Sequence, residues 1–169
     1  MHITFICTGN TCRSPMAEGI ARNIIAQEYP DSGVTVSSAG TGAFGGDAAS
    51  QHSIDVCREI GVDISGHRSQ CLNPEILEKT DLFAVMTGNH AAFLRRCGVP
   101  SAHIAVLGNI PDPYGGSEEI YRRCRDRIHT EVQKLLRRVI GEPKQDASDP
   151  LPEIVWEEKP DDGANESSE

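Results

Sequence analysis

Cys7-Thr8-Gly9-Asn10-Thr11-Cys12-Arg13-Ser14, followed at once by Pro15, is the stretch on which the rest of the chain is arranged. In front of it, His2-Ile3-Thr4-Phe5-Ile6 is β-branched and aromatic, the composition of a short strand. Behind it, Ser14 is expected as an N-cap and Pro15 in the first helical turn, where its missing N–H costs nothing. The eight residues are therefore a tight loop between a strand end and a helix start. Such a helix start offers unpaired N–H groups and a positive dipole end, an anion site. Gly9 and Asn10 tolerate the positive φ values that turn successive N–H groups inward as a cradle.

Cys7 stands at the mouth of this cradle, where the helix dipole and oriented N–H groups favour thiolate over thiol. Arg13 follows after five intervening residues, so its guanidinium can fold back over the same cavity and match two phosphate oxygens with its planar fork. The hydroxyl of Ser14 can donate to the Cys7 sulfur. A nucleophile, an oxyanion cradle formed by the N–H groups of Thr8, Gly9, Asn10, Thr11, Cys12 and Arg13, and a bidentate clamp point to phosphoryl transfer through a cysteinyl-phosphate. Competing readings fare worse. Zinc on Cys7 and Cys12 needs two more Cys or His at matching spacing, and Cys57, Cys71, Cys97 and Cys124 lie singly. A nucleotide-binding P-loop needs G-x-x-x-x-G-K-[ST], which is missing. The plain alternative is a strand–turn–helix with two buried cysteines and a surface arginine.

The remainder of the chain gives the loop its setting. Met16, Ile20 and Ile24, with Ala17, Ala21 and Ile25 beside them, repeat at helical spacing from Pro15 to about Gln27. Val34 to Ser38 reads as the second strand, making a parallel β–α–β unit whose ligands bind at strand carboxyl ends. A second helix is expected from Ala48 to Ile60, and a short one after Asn73-Pro74. Asp81 to Met86 is an apolar run suited to a central parallel strand. A helix from Asn89, a strand at Ile104–Leu107 and a long helix capped by Ser117 complete the pattern, with Tyr121, Cys124, Ile128, Val132, Leu135, Leu136 and Val139 on its apolar face. Four strands alternating with helices predict an α/β fold: a doubly wound, four-stranded parallel sheet with helices on both faces, flavodoxin-like in form.

At 169 residues the chain is long enough for one domain with a proper core. It lacks an apolar run of roughly 18 residues and a secretory leader, so a cytoplasmic protein without membrane contact is expected. Six irregularly placed cysteines agree with a reducing compartment. The net charge of −9 is uneven: residues 142–169 hold ten acids and two lysines, so residues 1–141 are nearly neutral. Nothing in that balance suggests a nucleic-acid surface. The expected division is a folded domain over 1–141 and an acidic, disordered tail over 142–169. One apolar island, Leu151-Pro152-Glu153-Ile154-Val155-Trp156, interrupts the tail and holds the only tryptophan. It is either incidental or a segment that docks on the domain or on a partner.

The opening loop closely resembles the signature of the low-molecular-weight protein tyrosine phosphatases, and within them most of all the protein arginine phosphatase branch, which carries Thr where the tyrosine phosphatases usually carry Ile. The similarity extends through Ser38-Ala39-Gly40-Thr41, Gly66-His67-Arg68-Ser69 and Asp112-Pro113-Tyr114-Gly115-Gly116-Ser117, over roughly residues 1–141. An Asp-Pro in a turn is by itself ordinary turn chemistry. The resemblance implies that Asp112 is the general acid, that Phe44 and Tyr114 flank the substrate cleft, and that His67 helps hold Asn10 in shape. The other histidines have no evident partner and are expected to be surface or ordinary core residues.

The resemblance implies an enzyme that needs no metal or organic cofactor, whose substrate is a phosphorylated protein and whose product is inorganic phosphate. The substrate is expected to be phosphoarginine, with phosphotyrosine the alternative on the same mechanism. A thiol-dependent arsenate reductase would need a relay of further cysteines, and Cys71 and Cys97 are far apart in sequence. Cys12 is expected to trap oxidised Cys7 as a reversible disulfide.

Overall fold

The structure, a computed structural model, describes residues 1–143. Its elements run β1 (His2–Cys7), α1 (Arg13–Glu28), β2 (Thr35–Gly40), α2 (Gln51–Arg58), α3 (Pro74–Lys79), β3 (Leu82–Val85), α4 (Gly88–Arg96), β4 (Ile104–Val106) and α5 (Glu118–Ile140). The four strands form one parallel sheet in the order β2-β1-β3-β4. The chain order reverses across β1, so the loop leaving β1 opens at a topological switch point of the sheet.

Alternation along β1 divides the core in two. Ile3, Phe5 and Cys7 face one side, where they pack with Met16, Ile20 and Ile24 of α1, Ile54 and Val56 of α2, and Ile128, Val132 and Leu136 of α5. Ile6 faces the other side and meets Phe83, Val85, Ile76 of α3 and Leu94 of α4. Helices thus cover both faces, as the doubly wound pattern predicts. Among the described residues no helix is long and apolar enough to cross a membrane.

Boundaries shift in three places for local reasons. The first helix begins at Arg13 and not after Ser14; Cys12 occupies its N-cap without a side-chain cap bond, because the Ser14 hydroxyl is used elsewhere. β2 continues to Gly40, since parallel pairing of Ile6 with Ala39 and Cys7 with Gly40 overrides the weak strand propensity of Ala and Gly. α2 starts only after Ser50, whose hydroxyl accepts from the N–H of Ser53. The tail expected over 142–169, including the island at Leu151–Trp156, lies outside the described residues beyond position 143.

Candidate active site

Cys7 is the last residue of β1, the second strand of the sheet, and Arg13 the first of α1, so strand and helix fix the two ends of the cradle independently. Between them Asn10 is fully buried at φ 54°, the left-handed turn that bends the loop back on itself. That conformation is held from four directions. The Asn10 side-chain amide donates to Ser14 Oγ at 2.7 Å and to Ser38 Oγ at 3.0 Å. Its Oδ1 accepts from the N–H of Gln70 at 2.9 Å, and its carbonyl accepts from His67 Nε2 at 2.8 Å. Glu18 anchors the far end, accepting from Ser38 Oγ at 2.6 Å with His67 Nδ1 3.8 Å away.

This network gives Cys7 its partner. The Asn10 amide nitrogen has only donors to offer, so Ser14 Oγ receives that bond and keeps its own proton for Cys7 Sγ, 2.9 Å away. Cys7, Ser14 and Asn10 are all sealed from bulk water.

Arg13 is also almost fully buried, and its guanidinium is only partly satisfied. Nη1 donates to the carbonyl of Ile110 at 3.0 Å, which orients the plane, and Nη2 lies 3.6 Å from Asp112 Oδ2. Nε has no hydrogen-bond partner among the described residues. A buried donor left unpaired is costly, and an oxyanion bound in the cradle would relieve it. Asp112 is itself about half exposed, its Oδ1 accepting from the N–H of Tyr114 at 3.1 Å. The structure therefore brings Asp112 and Arg13 together from ninety-nine positions apart in sequence.

The rim carries the remaining expected residues. Thr8 and Gly9 are exposed at the mouth, and Thr11 is half-buried with its hydroxyl 3.8 Å from Cys12 Sγ. Phe44 and Tyr114 are the most exposed large hydrophobic side chains among the described residues, at 84% and 80%, and no partner for either ring is seen there. The loop after β2 presses on the cradle from behind. Thr41 and Gly42 donate to the carbonyls of Cys7 and Thr8, and a Cβ on Gly40 would lie 2.4 Å from the Thr8 oxygen.

Several site residues escaped the sequence. His90, expected to be an ordinary histidine without a partner, is buried and bonds Thr8 Oγ1 through Nε2 at 2.9 Å and Thr87 Oγ1 through Nδ1 at 3.0 Å. Burial, with the Arg13 charge second, pushes its pKa down to about 4, so it is neutral near pH 7. Tyr121 and Ser50 hold the Cys12 thiol at 3.4 and 3.5 Å, and burial first, then the Cys12 bond, pushes the Tyr121 phenol up to about 12. Glu18, Ser38 and Gln70 likewise stand in ordinary local sequence. Only Ser38, inside a quoted resemblance motif, carried any signal.

Comparison with known proteins shows the family and the fold. The model of the family described as low molecular weight phosphotyrosine protein phosphatase matches residues 2–145. A protein-arginine-phosphatase of Bacillus subtilis is 35% identical over 86% of this chain and 99% of its own length. A low molecular weight protein-tyrosine-phosphatase PtpB of Staphylococcus haemolyticus is 34% identical over 80% of this chain and 97% of its own. Among solved structures, the YwlE arginine phosphatase of Geobacillus stearothermophilus superposes with a TM-score of 0.74 at 35% identity, covering 82% of this chain and 92% of that one.

Proposed function

The chain belongs to the low molecular weight phosphotyrosine protein phosphatase family, and from that premise we propose that it removes phosphate from phosphoarginine on proteins by way of a cysteinyl-phosphate. The Cys7 thiolate attacks phosphorus in line, and the bond from phosphorus to the guanidine nitrogen breaks. Asp112 delivers a proton to the departing nitrogen. Water then attacks the cysteinyl-phosphate while Asp112 takes its proton, and the Ser14 hydroxyl stabilises the sulfur as it leaves. The N–H groups of residues 8–13, with Arg13 Nε and Nη2, hold the equatorial oxygens in both steps. Arrival of the phosphoryl group draws Arg13 to the oxygens and releases Asp112 for the leaving group. Every step is carried by side chains, backbone and water.

Identity to relatives does not decide between phosphoarginine and phosphotyrosine, since the arginine and tyrosine phosphatases above differ by one percentage point. The observation that carries the choice is Thr11. It stands half-buried at the mouth of the cradle, and among the described residues its hydroxyl meets only the Cys12 sulfur, at 3.8 Å. A phosphoguanidine presents N–H donors beside the scissile bond, which this oxygen can accept. A phosphotyrosine presents an apolar ring, which an Ile at the same place would pack better. Leaving a buried donor unpaired costs roughly 1–3 kcal/mol, about one to two decades in rate.

The test is kcat/KM on matched phosphoarginine and phosphotyrosine peptides for wild type and Thr11→Ile. Wild type is expected to prefer phosphoarginine. Thr11→Ile is expected to lower that activity at least about tenfold while leaving phosphotyrosine hydrolysis equal or higher. A wild-type preference for phosphotyrosine, or an equal effect on both substrates, would transfer the assignment to the tyrosine reading.

A further inference from the structure

Outside the cradle the molecule carries one cleft whose chemistry matches a part of its own sequence. It is a cavity of about 230 Å³ between the start of α5 and the Asp112 loop, floored by Ile110, Pro113, Ile120 and Cys124 and rimmed by Arg123 and Arg127. Ile120 is 46% exposed there, one of few large apolar side chains open to water. From this cleft a basic ridge runs to the other end of the helix. At about 100° per residue, Arg123, Arg127, Lys134 and Arg138 fall within an arc of about 60°, and all four are exposed.

We propose that the segment Leu151-Pro152-Glu153-Ile154-Val155-Trp156 folds back along this ridge and seats its apolar residues in the cleft beside Asp112. Composition, charge and reach all agree. The stretch from Glu142 to Glu158 carries six acids, Glu142, Asp146, Asp149, Glu153, Glu157 and Glu158, against the single base Lys144. Its one apolar island matches the apolar floor, and the acids on either side match the arginine rim and the ridge. From Arg123 to the end of α5 is about 25 Å of helix. The nine steps from Glu142 to Leu151 span roughly 30 Å when extended, so an antiparallel return path just reaches the cleft. The existing pairs on the ridge, Arg123 with Glu119 at 3.4 Å and Lys134 with Glu131 at 3.0 Å, are exposed contacts within one helix. Such pairs are weak and exchange readily for tail carboxylates. Tethering makes the chain's own segment the favoured occupant, because a short linker holds it at an effective concentration near the millimolar range.

The only tryptophan, Trp156, reports directly on the seat. In the full chain its emission is expected to lie to the blue of N-acetyltryptophanamide, with acrylamide quenching at least about threefold weaker and unchanged on dilution. The charge reversals Arg123→Glu, Lys134→Glu and Arg138→Glu together, and separately Ile120→Ser, are each expected to restore exposed-indole quenching. Hydrolysis of p-nitrophenyl phosphate, which reports that the domain is folded, should stay within about twofold of wild type. A tryptophan as accessible in wild type as in the free amide would overturn the proposal. Protection that survives both sets of substitutions would place the segment elsewhere on the domain. Protection that vanishes on dilution would make the occupant of the cleft a second copy's tail.

Discussion

Asp112 is half exposed and 3.6 Å from Arg13, whereas Cys7 and Ser14 are buried and bonded to each other. In the proposed mechanism Asp112 can therefore move with the leaving group, while Cys7 stays fixed. Asp112→Asn is expected to cut kcat steeply on substrates whose leaving group needs a proton and much less on p-nitrophenyl phosphate, whose phenolate departs unaided. Equal losses on both classes, measured at saturating substrate, would make Asp112 a structural residue. Cys7→Ser should abolish turnover yet leave vanadate binding measurable by calorimetry, because the N–H cradle and Arg13 do not depend on the sulfur. At this scale the sequence disclosed what lies in one contiguous loop. Cys7, Asn10, Arg13 and Ser14 stand within eight positions, and their chemistry can be read from that spacing together with Pro15, the strand before and the helix behind. Glu18, Gln70, His90 and Tyr121 act on the same loop from as far as 109 positions away, and no local pattern marks them; Ser38 stood out only through the resemblance.

The elements meet most tightly where β2 ends behind the cradle. Gly40 has no room for a side chain: an added Cβ would lie 2.4 Å from the Thr8 carbonyl, 2.8 Å from Ala43 Cβ and 3.1 Å from Asn10 Cβ. Backbone cannot swing aside as a long side chain can, so Gly40→Ala must displace the cradle itself. A loss of about 1–3 kcal/mol in stability, read by urea denaturation, is expected together with weakened phosphate binding. Gly42→Ala is the control, since its nearest neighbour would be Thr8 Cγ2 at an ordinary 3.8 Å. Similar behaviour of the two variants would show that the close approach is not needed. Helical periodicity announced α1 and α5 well, because their buried faces repeat over several turns. Short elements were read less well. The Ser14 hydroxyl was expected both to cap a helix and to donate to Cys7; it meets Cys7 and Asn10 and leaves the cap unmade, because capping rules describe only local competition. Arg125 was missed on the buried face of α5 because its charge is met by Glu59 at 2.7 Å and by the Val56 carbonyl at 2.7 Å, partners supplied by α2.

For the molecule as a whole, the coupling between site and stability runs through His90. It packs from α4 against the Thr8 end of the cradle, facing Arg13, which disfavours its proton, and Asp112, which favours it. Burial is the largest influence, and the folded pKa falls from 6.5 to about 4. Between those values the unfolded chain binds a proton that the folded chain refuses. Stability is therefore fully present above about pH 6.5 and is lost as pH falls toward 4, by up to roughly 3 kcal/mol at 1.36 kcal/mol per pKa unit. His2 is shifted the same way, by burial and then Lys79, and adds to the slope. Glu59, whose pKa the bonds from Arg122 and Arg125 hold down from 4.5 to about 2, loses its contribution as pH falls from about 4.5 toward 2, so its window adjoins that of His90 on the acid side. His90→Gln keeps a polar group between Thr8 and Thr87 but cannot titrate. The difference in urea-unfolding free energy between wild type and His90→Gln should favour wild type most at pH 7 and shrink steadily to pH 4. A difference that stays constant over that range would mean that His90 takes up its proton in the folded site, and that the pocket under Thr8 is wetter than its burial implies.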